Sequence, residues 1–127
     1  MNQASLDTPV ADDVDQLVPS WLTVPELAEA LDLDVVKTRQ VLKDGELVAV
    51  RRGPRNVVSV PADFVVDGVI LKKLTGLLTL LADAGFDANE SIRWLFTADD
   101  TLPGTPIQAL LDNRGTEVRR RAQSLAF

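Results

Sequence analysis

Apolar residues recur at helical spacing in two short segments within the first third of the chain. Thr23 and Glu26 have the spacing of a capping box and predict a helix over residues 24–30. Apolar positions resume over residues 35–44, after two aspartates that can cap a helix, and Gly45 suits its C-terminal end. The pattern therefore predicts two short helices joined by a tight turn.

A strand pattern follows the second helix. Residues 47–52 form a β-rich run, residues 53–56 read Gly-Pro-Arg-Asn, and residues 57–60 form a second run that Pro61 ends. Because the Gly-Pro sequence is a strong turn signal, these segments predict a β-hairpin. Two helices followed by a hairpin are the elements of a winged helix-turn-helix, whose second helix is narrow enough to enter the major groove of DNA.

From Val69 onward, the sequence is predicted to be helical. Leucines recur at spacings of three and four over residues 71–81, and Gly85 is a suitable C-cap. Capping residues then predict helices over residues 88–96 and 106–111, and a last helix over residues 116–126. We therefore expect the second half of the chain to be a helical bundle.

The N-terminal end has no clear apolar period. Residues 1–16 contain four aspartates, Pro9 and few large apolar groups, which predicts a disordered acidic tail. We therefore expect three segments: the tail at 1–16, a winged helix-turn-helix at 17–66, and a C-terminal helical region at 67–127 packed on it. The predicted fold class is mainly α with a small β-hairpin.

Composition excludes several classes of function. The chain contains no cysteine, histidine or tyrosine, so disulfides, thiolate metal sites and acid–base catalysis by histidine are unavailable. It also lacks a phosphate-binding glycine loop. We therefore expect a protein that is not an enzyme and uses no cofactor or metal. No apolar run reaches the length of about 18 residues that a membrane span needs, and no signal peptide is apparent, which predicts a cytoplasmic protein.

Charge is unevenly distributed along the chain. The net charge is -6, but residues 1–35 sum to -8 whereas residues 37–55 sum to +4. Because salt screens charges over about 8 to 10 Å, a phosphate backbone would meet the local potential and not the total. The basic segment coincides with the second helix and the hairpin, and it predicts double-stranded DNA as the partner.

Candidate DNA contacts lie on both of these elements. They are Lys37, Thr38, Arg39, Gln40 and Lys43 on the second helix, and Arg51, Arg52 and Arg55 on the hairpin wing. Gln40 could read adenine and Arg39 could read guanine, with the lysines on phosphates. Val36 and Val41 are predicted to be core positions. A charged helix face can be merely solvated, but three arginines around one Gly-Pro turn have little reason to cluster for stability.

Three segments carry a resemblance to a known family. They are Trp21-Leu22-Thr23-Val24-Pro25-Glu26-Leu27-Ala28, the helix from Val35 to Gly45, and Leu47-Val48-Ala49-Val50-Arg51-Arg52. Together they resemble an actinobacterial family of small winged-helix DNA-binding proteins related to a mycobacterial substrate of a serine/threonine protein kinase. The resemblance implies DNA binding through the winged helix, and phosphorylation of a threonine in the acidic tail that weakens this binding. Thr8 is the only threonine in the tail.

The C-terminal region also resembles the toxin-binding domain of certain antitoxins. The likeness rests on Trp94-Leu95-Phe96, on Leu102-Pro103-Gly104-Thr105-Pro106 and on the Leu110-Leu111 helix. It implies an alternative function, in which the C-terminal helices bind a partner protein, although the same residues could simply close a helical core. Arg119 to Arg121 are either a solvated face or a second phosphate contact.

Overall fold

The computed structural model describes residues 6–102 and 104–125, which form short helices, a three-stranded antiparallel sheet and a two-stranded one. The helices are α1 (Asp12–Leu17), α2 (Val24–Leu31), α3 (Val35–Lys43), α4 (Leu74–Asp83), α5 (Ala88–Phe96), α6 (Pro106–Leu111) and α7 (Gly115–Ser124). The strands are β1 (Trp21–Thr23), β2 (Val50–Arg52), β3 (Val57–Pro61), β4 (Val65–Val66) and β5 (Val69–Ile70). The predicted fold class, a winged helix-turn-helix followed by helices, is confirmed.

The two predicted N-terminal helices are α2 and α3, and the predicted caps are present. The Thr23 N–H donates to Glu26 Oε1 at 2.8 Å, which completes the capping box of α2 and lowers the pKa of the Glu26 carboxyl. Asp34 caps α3 by accepting the Lys37 N–H at 2.7 Å. Gly45 adopts a left-handed φ of 76° just after α3, as its predicted place at the end of the helix requires.

The predicted hairpin is also present, but it belongs to a three-stranded sheet with the order β1-β3-β2. β3 pairs antiparallel with both neighbours, so Ser59 lies between Thr23 of β1 and Val50 of β2. The turn of the hairpin uses left-handed backbone at Gly53 and Asn56, with φ of 75° and 53°. β1 was not predicted, because three residues are too short to show a strand alternation.

One hydrophobic core joins the two halves of the chain. The ring centroids of Phe64 and Phe96 lie 6.4 Å apart, and Phe64 is fully buried. In addition, the Thr75 hydroxyl on α4 donates to the Glu46 carbonyl oxygen at 2.9 Å. The start of α4 is therefore fixed against the loop that follows α3.

The N-terminal prediction needs correction. Residues 1–5 lie outside the described part of the chain, but residues 12–17 form α1 and are not a disordered tail. Val14 is fully buried, and α1 packs against α5. Val10, Val14 and Val18 recur at a spacing of four, and three aspartates occupy the first turn, where the helix dipole favours negative charge. That pattern was the signal for α1 in the sequence.

In the C-terminal half, the predicted helices correspond to α4, α5, α6 and α7. The prediction that the helical pattern begins at Val69 was wrong, since Val69–Ile70 pair with Val65–Val66 as a two-stranded hairpin and α4 begins only at Leu74. Phe96 and Leu102 are buried, so they help to close the helical core. Across residues 6–102 and 104–125, no helix is long and apolar enough to cross a membrane.

Candidate nucleic-acid interface

The outer face of α3 presents a group of exposed polar and basic side chains. Successive residues of a helix differ by about 100°, so Gln40 and Lys43 share one face and Arg39 lies beside them. All three are exposed, as is Lys37 on the flank of this face. The Gln40 amide donates to the Asp44 carboxylate at 2.8 Å, an exposed contact that solvent or a ligand can replace. Among the described residues, no carboxylate forms an ion pair with a cation of α3.

Thr38 does not belong to this exposed group, contrary to the sequence-based prediction. It is fully buried, and its hydroxyl donates to the Asp34 carbonyl oxygen at 2.8 Å in the preceding turn. Thr38 and Leu42 form the face that packs on the core. Because the hydroxyl is satisfied inside the helix, Thr38 is a packing residue and cannot reach DNA.

Val36 is the opposite case. It was predicted to be a core position, but its relative exposure is 78%, the highest among the large hydrophobic residues found exposed in the described chain. The reason is its position opposite the buried face of α3, on the same side as Gln40 and Lys43. Val41, the other predicted core position, is half-buried against the core.

Arg51 on β2 is half-buried and held by neighbouring groups. One of its side-chain nitrogens, Nη1, donates to the Asn56 carbonyl oxygen across the hairpin at 2.9 Å. The other, Nη2, pairs with Asp7 Oδ1 at 3.2 Å. Both contacts are solvent-accessible and therefore weak, so Arg51 can exchange Asp7 for another anion.

Arg52 makes an ion pair with Asp15 and a cation–π contact with Trp21. Its Nε donates to Asp15 Oδ1 at 2.6 Å, and its guanidinium lies 4.6 Å from the centre of the Trp21 ring. These two contacts join β2, β1 and α1. Arg52 therefore stabilises the fold, which the sequence-based prediction of a DNA contact did not anticipate.

The wing and α3 meet at an open cleft of about 260 Å³. Arg39 of α3 and Arg51 of β2 both line this cleft, together with Pro25 at the start of α2 and Val57 of β3. Arg55 is exposed at the tip of the hairpin turn. The fold thus brings two of the predicted cations to one depression between the helix and the wing, and it leaves a third at the tip.

The N-terminal segment covers the free edge of the wing. The Arg51 N–H donates to the Thr8 carbonyl oxygen at 2.8 Å, and the Val10 N–H donates to the Arg51 carbonyl oxygen at 2.9 Å. Residues 8–10 therefore form a single parallel β-bridge with β2, with Pro9 opposite Arg51. Thr8 is half-buried in this arrangement.

Contacts from α5 hold the same segment in place. The Asn89 side chain accepts the Ala11 N–H and donates to the Pro9 carbonyl oxygen, both at 2.9 Å. Arg93 donates to both carboxylate oxygens of Asp13, at 2.6 and 2.9 Å. The hydrogen bonding from the Arg93 guanidinium lowers the pKa of the Asp13 carboxyl below its ordinary value.

A helix pair packed on a three-stranded sheet, with a basic hairpin beside the second helix, defines a winged helix-turn-helix protein. The comparisons with known proteins name the family. Residues 7–65 match the model described as DNA-binding protein Rv2175c, wHTH domain, and residues 71–126 match the Rv2175c C-terminal domain of unknown function.

A curated relative and a solved structure agree with these matches. The chain is 40% identical to the DNA-binding protein Rv2175c of Mycobacterium tuberculosis, over 94% of this chain and 89% of that protein. It also matches the NMR structure of Rv2175c with a TM-score of 0.82 and 35% identity, over 99% of this chain and 91% of the other. The chain belongs to the Rv2175c family, as the sequence resemblance implied. The antitoxin likeness has no counterpart among these matches.

Proposed function

We propose that this protein binds double-stranded DNA, with α3 in the major groove and the wing on the adjacent backbone. The observation that carries the proposal is the cleft in which Arg39 and Arg51 come together between α3 and the wing. A depression lined by two arginines suits the phosphate backbone beside a groove that α3 occupies. The name of the relative, a DNA-binding protein, supports the same function.

The proposed contacts are a subset of those predicted from the sequence. Gln40 is placed to read a base edge from the exposed face of α3, and the cations of α3 and the wing contact phosphates. These cations are Lys37, Arg39, Lys43, Arg51 and Arg55. Thr38 is excluded by its burial, and Arg52 acts indirectly by holding the wing. A cytoplasmic regulator of transcription is the role that fits such an interface.

The salt dependence of binding tests this proposal. For a short random-sequence duplex, we expect the association constant to fall steeply with salt, by about 0.9 in log-log slope for each phosphate contact. Arg39→Ala should reduce this slope by about 0.9, the value for one phosphate contact. Arg120→Ala, which removes an exposed arginine from α7, is the matched control and should leave the slope unchanged. Absence of binding at low salt would contradict the proposal.

We further propose that phosphorylation of Thr8 by a serine/threonine kinase weakens DNA binding. The support is the backbone hydrogen bond from Arg51 to Thr8, which keeps the two residues adjacent. A phosphate adds about -1.5 to -2 charge and would compete with DNA for Arg51 and the cleft beside it.

A phosphomimetic variant tests the regulatory proposal. We expect Thr8→Glu to lower the affinity for a duplex severalfold at low salt, measured by gel-shift titration, with less effect at high salt as screening increases. Thr79→Glu adds the same charge on the exposed side of α4 and should change the affinity little. Equal losses from the two variants would show a general charge effect, and an unchanged affinity for Thr8→Glu would remove the idea.

A further inference from the structure

The recognition helix α3 carries an exposed valine among polar and charged neighbours. Val36 is 78% exposed in the first turn of the helix, and the adjacent Val35 is 42% exposed. Removal of a valine side chain from water lowers the free energy, and β-branched residues are weak helix formers. The packing of the described residues therefore gives no stability reason for a valine at position 36.

The position of Val36 points to DNA. Residues in the N-terminal turn of a recognition helix lie closest to the base edges in a helix-turn-helix complex. Val36 is in that turn, four residues before Gln40 and seven before Lys43, so all three share the exposed face. If α3 lies in the major groove with Gln40 and Lys43 facing the DNA, Val36 faces the DNA as well.

The chemistry of the major groove restricts what Val36 can recognise. Each base pair presents hydrogen-bond donors and acceptors there, and the thymine C5 methyl is the apolar group among them. A valine side chain offers no hydrogen bond and gains by contact with a methyl group. We infer that Val36 is a specificity-determining residue that reads a thymine through its methyl group; the inference rests on the proposed DNA-binding function.

Replacing thymine by deoxyuracil tests the inference, because it removes the methyl group and keeps every hydrogen-bonding group of the base. Duplexes selected by the wild-type protein from a random pool are amplified again with either thymidine or deoxyuridine triphosphate, and both pools are titrated. We expect the wild-type protein to bind the uracil pool about three- to fivefold more weakly, as burial of one methyl group implies.

Two variants make the result specific to this side chain. Val36→Ala should show a smaller difference between the two pools than the wild-type protein, because the shortened side chain loses the two methyl groups that make the proposed contact. Val69→Ala truncates a valine with 62% exposure in β5, outside the proposed interface, and should keep the wild-type preference for the thymine pool. Helix content measured by circular dichroism checks that each variant is folded.

The outcomes separate this inference from the proposed function. DNA binding with equal affinity of the wild-type protein for the two pools would overturn the thymine contact and leave the DNA-binding function in place. A preference for thymine that is undiminished in Val36→Ala would assign the contact to another residue and would also overturn it. Absence of binding to any duplex at low salt would overturn both.

Discussion

Arg52 illustrates how one cation of a basic cluster can serve the fold while Arg55 remains exposed to solvent. It contacts the Trp21 ring and the Asp15 carboxylate at the same time. Arg55, three residues further on, extends from the turn and has no ion-pair partner among the described residues. The two arginines should therefore respond differently to substitution.

We predict that Arg52→Ala lowers the free energy of unfolding by about 1 kcal/mol, the combined size of a partly exposed ion pair and a cation–π contact. Arg55→Ala should leave stability unchanged and reduce the salt slope of DNA binding by about 0.9. Urea denaturation measures the first effect and duplex titration the second. If Arg52→Ala leaves the urea midpoint at the wild-type value, the proposed stabilising role is wrong.

At the scale of elements, the N-terminal segment links the wing to the C-terminal helices. Residues 8–10 pair with β2, and Asp13 pairs with Arg93 on α5. An uncovered β2 would be a free sheet edge, which proteins commonly protect from unwanted pairing. The segment therefore protects the wing and also brings acidic groups next to its arginines.

The pairing of Asp13 with Arg93 predicts a pH dependence of stability. The folded pKa of Asp13 lies below its ordinary value of 3.8, so the pair stabilises the fold at neutral pH. This contribution is lost as pH falls below the ordinary value and through the lowered folded pKa. We therefore expect Asp13→Asn to be less stable than wild type at pH 7 in urea denaturation. The difference should shrink as the pH falls below about 4, and a difference independent of pH would contradict the assignment.

The sequence predicted the elements whose signals are local. The caps at Thr23 and Asp34 and the Gly-Pro turn of the hairpin depend on a few neighbouring residues, and the structure confirms them. β1 becomes a strand only through its pairing with β3, which a three-residue segment cannot reveal. The first turn of α1 and the residue before it contact α5, some 80 residues away in the sequence; the spacing of three valines was its only local signal, and the acidic composition outweighed it in the prediction.

The same limit applied to the candidate site. The sequence located the basic helix and wing, but it could not assign the faces of α3. Thr38 was predicted to face DNA and Val36 to face the core, and the structure reverses both. The rotation of a nine-residue helix is set by the surface on which it packs, because few positions carry the apolar period.

At the scale of the whole molecule, an acidic protein carries a local basic surface. The net charge of -6 repels DNA at long range, whereas α3 and the wing attract phosphates within a Debye length. Two acidic residues of the N-terminal region, Asp7 and Asp15, pair with Arg51 and Arg52 of the wing. We therefore expect binding to depend on which cations are removed and not on how many.

The most direct test compares two triple variants that remove the same charge. Arg39→Ala, Lys43→Ala and Arg55→Ala together remove three of the five cations of the proposed interface, whereas Lys72→Ala, Arg119→Ala and Arg120→Ala remove three exposed cations of the C-terminal region. The measurement is the affinity of each variant for a random duplex across a salt series. We predict that the log-log salt slope of the first variant falls by about 0.9 for each contact removed, and that this variant loses most of its affinity at low salt. The second variant should keep the wild-type slope. Equal losses in the two variants, or a greater loss in the second, would contradict the assignment of α3 and the wing as the DNA-binding surface.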